Sequence, residues 1–165
     1  MENIKTGAKF SKCRKYRYSL WRIWNEELPL VAFIGLNPST ADETKNNPTI
    51  KRCISFSKEW GFGGVYVINL FAYRATFPKD LLAYPEPIGS RNISWIKKIC
   101  EKCSMVIGAW GNDGSHLNQS EKVIQLIPNM FCLNVNKSGH PAHPLYQKST
   151  VKPKKLVITE SHDAT

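Results

Sequence analysis

Apolar and polar positions change their spacing several times along the chain, and each change marks an element. Between Arg14 and Trp24 they alternate, with Tyr16, Tyr18, Leu20 and Trp21 set among basic residues, which predicts an edge strand or hairpin arm. Leu30 to Ile34 is uniformly apolar, as expected of a strand covered on both faces. From Pro48 to Trp60 the apolar residues Ile50, Cys53 and Ile54 recur at helical spacing, with Asn47 placed to cap the helix and Pro48 suited to its first turn. Glycines 61, 63 and 64 end it, and Val65 to Phe71 predicts a second buried strand. A connection punctuated by Pro78, Pro85 and Pro87 runs from Ala72 to Gly89. An amphipathic helix is then predicted over Ser90 to Cys103, a strand over Met105 to Trp110, a helix over Ser115 to Ile127 and a strand over Asn129 to Val135.

Strands alternating with helices over short turns predict an α/β fold, because parallel neighbours need helical crossovers. The expected architecture is a three-layer α/β/α sandwich with a central, mainly parallel four-stranded sheet plus an N-terminal edge strand or hairpin. Residues 1–13 are then an N-terminal arm, 14–147 a single domain and 148–165 a basic C-terminal tail. In such sheets ligands bind beyond the carboxyl ends of the strands. That rule selects four loops: Gly35 to Asp42, Asn69 to Thr76, Trp110 to Gly114 and Asn134 to Tyr146.

Composition narrows the partners more than the fold. No apolar run approaches the ~20 residues that span a bilayer, and the N-terminus lacks a signal-peptide core, so a cytoplasmic protein with reduced cysteines is expected. The 23 Lys and Arg against 13 Asp and Glu give a net charge of +10, which favours a polyanion, nucleic acid first. The alternative is that Lys148, Lys152, Lys154 and Lys155 are a solvated tail.

The selected loops carry the chemistry. In Gly35-Leu36-Asn37-Pro38-Ser39-Thr40-Ala41-Asp42, Gly35 permits close approach and Pro38 fixes the turn, so Asn37 is either an amide facing a pocket or part of a plain Asx turn closed by Asp42. Asn69 ends an apolar strand and needs a partner, which is a nucleobase-like edge or the next loop. Phe71 and Tyr73 offer a stacking face or core packing, and Arg74 a phosphate or a surface carboxylate. Ser39, Thr40, Asp42, Thr76 and His140 are candidates for lining the pocket or meeting phosphate. His140 and His143, each followed by proline, can donate to developing negative charge, form a surface pair, or bind metal weakly. No zinc spacing, phosphate-binding glycine loop or dinucleotide fingerprint is present, so neither metal nor cofactor is expected. Cys100 and Cys103 at a helix end read as packed thiols rather than a redox pair.

Taken in order, three pieces resemble the uracil-DNA glycosylase superfamily, and more narrowly its mismatch-specific type: Gly35-Leu36-Asn37-Pro38-Ser39, Asn69 at a strand end, and His143-Pro144-Leu145. The likeness spans roughly residues 14–147. It implies that Asn37 positions the attacking water, that Asn69 recognises an extruded base, and that His143, with His140 as the other choice, stabilises the departing base anion. The implied activity is hydrolysis of the N-glycosidic bond of uracil or a modified pyrimidine flipped out of DNA, with no cofactor. The chain departs from the pattern in having Leu145 where a serine follows His-Pro, and in lacking an aromatic directly behind Pro38. Those departures motivate one alternative, a noncatalytic nucleic-acid or nucleotide-binding module; a hydrolase of small nucleosides or nucleotides is a further one.

Overall fold

In a computed structural model, which describes residues 3–157, the chain forms one seven-stranded sheet of order β1-β2-β4-β3-β5-β6-β7. The strands are β1 (Lys5–Phe10), β2 (Arg17–Ile23), β3 (Leu30–Gly35), β4 (Gly64–Asn69), β5 (Met105–Gly108), β6 (Phe131–Cys132) and β7 (Lys154–Lys155). The helices are α1 (Pro48–Glu59), α2 (Pro78–Ala83), α3 (Asn92–Lys102) and α4 (Gln119–Leu126).

The expected four-stranded, mainly parallel sheet is overturned by this arrangement. Pairs β3–β4, β3–β5 and β5–β6 are parallel, whereas β1–β2, β2–β4 and β6–β7 are antiparallel, so the sheet is mixed. Residues 5–10, expected as an arm, are the edge strand, and β2 lies inside it against β4. Residues 148–157 of the expected tail fold back, with β7 on β6 and Trp60 Nε1–H donating to the Val151 carbonyl at 3.2 Å. Residues 158–165 of that tail, and 1–2 of the arm, lie outside the described residues.

Burial follows the apolar runs. On one face α1 sets Ile50, Cys53 and Phe56 against Val31, Phe33, Val65, Val67 and Ile107. On the other, Leu81 of α2, Ile96 and Ile99 of α3 and Val123 of α4 cover Ala32, Ile34, Ile68 and Val106. Each such side chain removed from water contributes roughly 1.5–3 kcal/mol, and β3 and β4 receive it on both faces. The helix expected from Ser115 is shorter, because Leu117 (φ 54°) and Asn118 (φ 57°) are left-handed and break the chain into a 3₁₀ turn followed by α4. The strand expected over Asn129–Val135 shrinks to Phe131–Cys132, after which the Asn134 side chain caps the Val135 N–H and turns the backbone.

Arg22 of β2 organises the loop after β3. It is 1% exposed, and its guanidinium donates to the carbonyls of Gly7, Trp21, Asp42, Glu43 and Lys45 and to Asn46 Oδ1. Asp42, Glu43 and Lys45 lie in the loop after β3 and Gly7 and Trp21 on adjacent strands, and a planar fork of five donors gathers their carbonyls. Arg22→Ala takes the donor from one buried and four part-buried carbonyls and is expected to lower unfolding stability by about 3 kcal/mol in urea denaturation. A loss under about 1 kcal/mol would show that water serves these carbonyls equally well.

Candidate functional site

A cavity of about 500 Å³ opens at the carboxyl ends of β3, β4 and β5, where the sheet rule places ligands. It is lined by Gly35 to Ser39, Asn69, Ala75, Thr76, residues 109–113 and His143 to Gln147, with Asn47, Ile50 and Cys53 of α1 closing one side. The strand ends meet here because their loops are tied together. Leu70 N–H donates to the Gly35 carbonyl, Phe71 N–H to Leu36, Ala75 N–H to Pro38, and Ala109 N–H to Ile34, all between 2.8 and 3.0 Å.

Asn37 is held by its own amide. Its Nδ2 donates to the carbonyls of Ala75 at 2.8 Å and Pro38 at 3.0 Å, so both hydrogens are committed to the scaffold. Oδ1 has no protein donor among the described residues and is the acceptor a water or ligand can meet. The amide therefore has one orientation and one free function.

Asn69 is in register with Gly35 across the parallel pair β3–β4. It is 2% exposed, and its Nδ2 is buried without an acceptor. A Cβ on residue 35 would come within 2.8 Å of Asn69 Oδ1, so glycine is what lets the amide lie across the β3 end. Behind it, Asn92 Nδ2 on α3 donates to the backbone carbonyls of Asn69 and Leu70, at 2.8 and 3.0 Å. Its backbone is thus fixed by α3, while Nδ2 has no acceptor among the described residues.

His143 lines the cavity, and its Nδ1 accepts from the Leu145 N–H at 3.2 Å. In the neutral ring the proton then belongs on Nε2. Burial pushes its pKa below the ordinary histidine value, which favours that neutral ring. The loop is clamped to α1 by the Arg52 guanidinium, which donates to the carbonyls of Pro144 and Gln147. His140 is drawn elsewhere. Its Nδ1 accepts from Trp110 Nε1–H at 3.2 Å, and it does not line the cavity.

The remaining candidates divide. Ser39 and Thr76 line the cavity, and Ser39 Oγ accepts from Asn47 Nδ2 at 3.2 Å while Asn47 Oδ1 caps α1. Thr40 is exposed and outside it, and Asp42 closes an Asx turn, accepting from Thr44 and Lys45 N–H, which holds its carboxyl below the usual range. Phe71 is wholly buried in the core against His116 and offers no stacking face. Tyr73 stacks on Tyr84 at 3.7 Å in an adjoining cleft, which also holds Arg14, Lys15 and Arg74 and shares Ser39, Ala75 and Thr76 with the main cavity. Arg74 sits there as a strut, donating to the Ser39 carbonyl at 3.3 Å. Cys100 and Cys103, both pushed up to about 12 by burial, are not thiolates. No metal-holding group of three His, Cys, Asp or Glu occurs among the described residues, and no helix there is long and apolar enough to cross a membrane.

One buried, charged lining residue has no counterpart among the sequence candidates. Arg17, at the start of β2, is 2% exposed, and its only protein acceptor among the described residues is the Ala41 carbonyl at 3.4 Å. An arginine in an alternating, basic segment reads as solvent-facing, so pattern alone does not reveal it.

Two outcomes follow from this geometry. Gly35→Ala is expected to leave the fold intact by circular dichroism while displacing the Asn69 amide and weakening ligand binding at least about tenfold; unchanged binding would show that the amide tolerates the methyl. For His143, whose folded pKa lies below its unfolded value, stability is fully present above about pH 6.5 and declines as pH falls through the folded pKa. An NMR titration of its imidazole is expected to show a midpoint under 6.5, and a midpoint at or above that value contradicts the burial argument.

Neither a curated protein nor a solved structure matches the chain. A family model described as "Protein of unknown function (DUF1643)" matches residues 17–145, and the chain belongs to that family.

Proposed function

We propose that this protein is a DNA glycosylase of the uracil-DNA glycosylase type, hydrolysing the N-glycosidic bond of uracil or a modified pyrimidine flipped into the cavity at the β3 and β4 ends. The observation that carries the reading is Asn69: a buried amide whose Nδ2 has no acceptor among the described residues, lining a cavity with room for a nucleotide together with Asn37 and His143. An unspent buried donor costs roughly 1–3 kcal/mol unless a ligand pairs with it. A carbonyl on a pyrimidine edge is such a partner.

The chemistry requires little from the protein beyond positioning and charge stabilisation. Asn37 Oδ1 accepts a hydrogen from water and aims its oxygen at the sugar's anomeric carbon. As the carbon–oxygen bond forms, the carbon–nitrogen bond breaks and its electron pair leaves with the base. The Nε2–H of neutral His143 donates to the oxygen on which that charge gathers, and the water proton passes to solvent. The basic cleft beside the cavity, with Arg14, Lys15 and Arg74 at its wall, supports an approach by the phosphate backbone.

A second reading, a noncatalytic binder of nucleic acid, is favoured by one feature: among the described residues no general base contacts the Asn37 amide, whose hydrogen-bond partners are backbone carbonyls. Oligonucleotides carrying uracil and a panel of modified pyrimidines decide between the two. Excision is expected to leave an alkali-labile abasic site, with Asn37→Ala and His143→Ala each slowing it by about 100-fold or more. Equal rates for both variants and wild type would overturn the mechanism. Salt-dependent DNA binding with no released base across the panel would select the binding module.

A further inference from the structure

Two arginines on β2 are equally buried and oppositely served. Arg22 spends its guanidinium on five backbone carbonyls and an asparagine oxygen. Arg17 has one long bond, and its Nε is buried with no acceptor among the described residues. No carboxylate answers its charge among the described residues. Glu43 is paired with Arg14 at 2.8 Å, and the nearest charges that bear on Arg17 are the like charges of Arg74 and Arg22. Burial above all, and then those neighbours, hold its pKa down at about 9, and the Cys53 thiol beside it is itself pushed up to about 12. A buried guanidinium without a counter-ion is costly and persists where something else supplies the anion.

The surroundings say what would supply it. Arg17 lines the main cavity with apolar Phe33, Ile50, Cys53 and Val67, so an ion pair made there is weakly screened. The other unspent buried donor of the cavity is Asn69 Nδ2, whereas Asp113 is the one carboxylate among its lining residues. Among the described residues two buried lining donors, Arg17 Nε and Asn69 Nδ2, have no acceptor, against that one carboxylate.

We infer that Arg17 forms an oxyanion subsite within this cavity, so that the ligand is a nucleoside bearing a phosphate or a carboxylate rather than a neutral one. The inference rests on the proposed excision reading only for the nucleobase part of the ligand. A planar fork meeting two oxygens accounts for arginine at this position, where lysine would bring a point charge. Phosphate on the sugar and carboxylate on the base share this chemistry and are separated by experiment.

Calorimetric titration of the full chain at fixed ionic strength uses deoxyuridine, deoxyuridine monophosphate, a deoxyuridine carrying a base carboxylate, and inorganic phosphate. One anionic nucleoside is expected to bind about tenfold or more tightly than deoxyuridine, and its identity names the source of the oxyanion. Arg17→Met is expected to erase that preference while the ligand-free thermal midpoint stays at or above wild type, since an unpaired buried charge has been removed. Lys122→Met, an exposed change of equal charge on α4, is expected to keep it. Should Arg17→Met not fold, Arg17→Lys carries the test: a preference cut by about threefold or more supports the subsite, and an unchanged one overturns it. Deoxyuridine binding that is lost in Asn69→Ala but shows no anion preference overturns the subsite and leaves the excision reading standing. Phosphate binding that depends on Arg17, without nucleoside binding, does the reverse. No binding of any probe overturns the subsite.

Discussion

Gly35 and Asn69 are register partners at the ends of two parallel strands, and the space a side chain would occupy on the first is filled by the amide of the second. This close approach sets the level at which both loops leave the sheet. The loop after β3 then bonds to the loop after β4 through Leu70, Phe71 and Ala75, and Asn37 adds its own amide to the same seam. A cavity with a defined floor follows from that seam, because neither loop can shift without the other. Asn92 and Gln119 complete the restraint by holding the backbone carbonyls of Asn69 and Leu70 from α3 and α4.

Elements whose side chains carry the energy were legible in the sequence. The uniform runs of β3 and β4 are buried on both faces, and α1 starts where Asn47 and Pro48 indicate. The strands that overturn the expected architecture are held by backbone pairing and leave little pattern. Lys5–Phe10 is mostly exposed, and Lys154–Lys155 is two exposed lysines against β6. Helix α4 begins late because Leu117 and Asn118 adopt a conformation that their spacing does not announce. At the site, Asn69 stands out in sequence because a polar group ending an apolar strand demands a partner, and Asn37 and His143 because proline-stiffened loops past strand ends present them; the fold brings all three to one cavity. Phe71 was ambiguous, since stacking and core packing ask for the same residue, and the core took it. Arg17 was invisible, because burial of a charge is decided by tertiary contacts that no spacing encodes.

The contrast between Arg17 and Arg22 separates two uses of one residue type on one strand. Satisfaction of every donor is the mark of a structural arginine, and it makes Arg22 the organiser of residues 42–46. An unserved guanidinium in a dry lining is a local violation of the rules that build a core, and such violations collect where binding takes place. Asn69 is a violation of the same kind a short way along the cavity wall.

Helix α1 joins the two halves of the site more directly than the sheet does. Its cap residue Asn47 holds Ser39 in the loop after β3, and one turn further on Arg52 holds the Pro144 carbonyl that opens the 3₁₀ turn after His143 and the Gln147 carbonyl just past it. The helix is therefore a rigid strut with a loop fastened at each of two points along it. The loop after β3 and the loop that carries His143 therefore share one support, and a displacement of α1 would carry both fastenings with it.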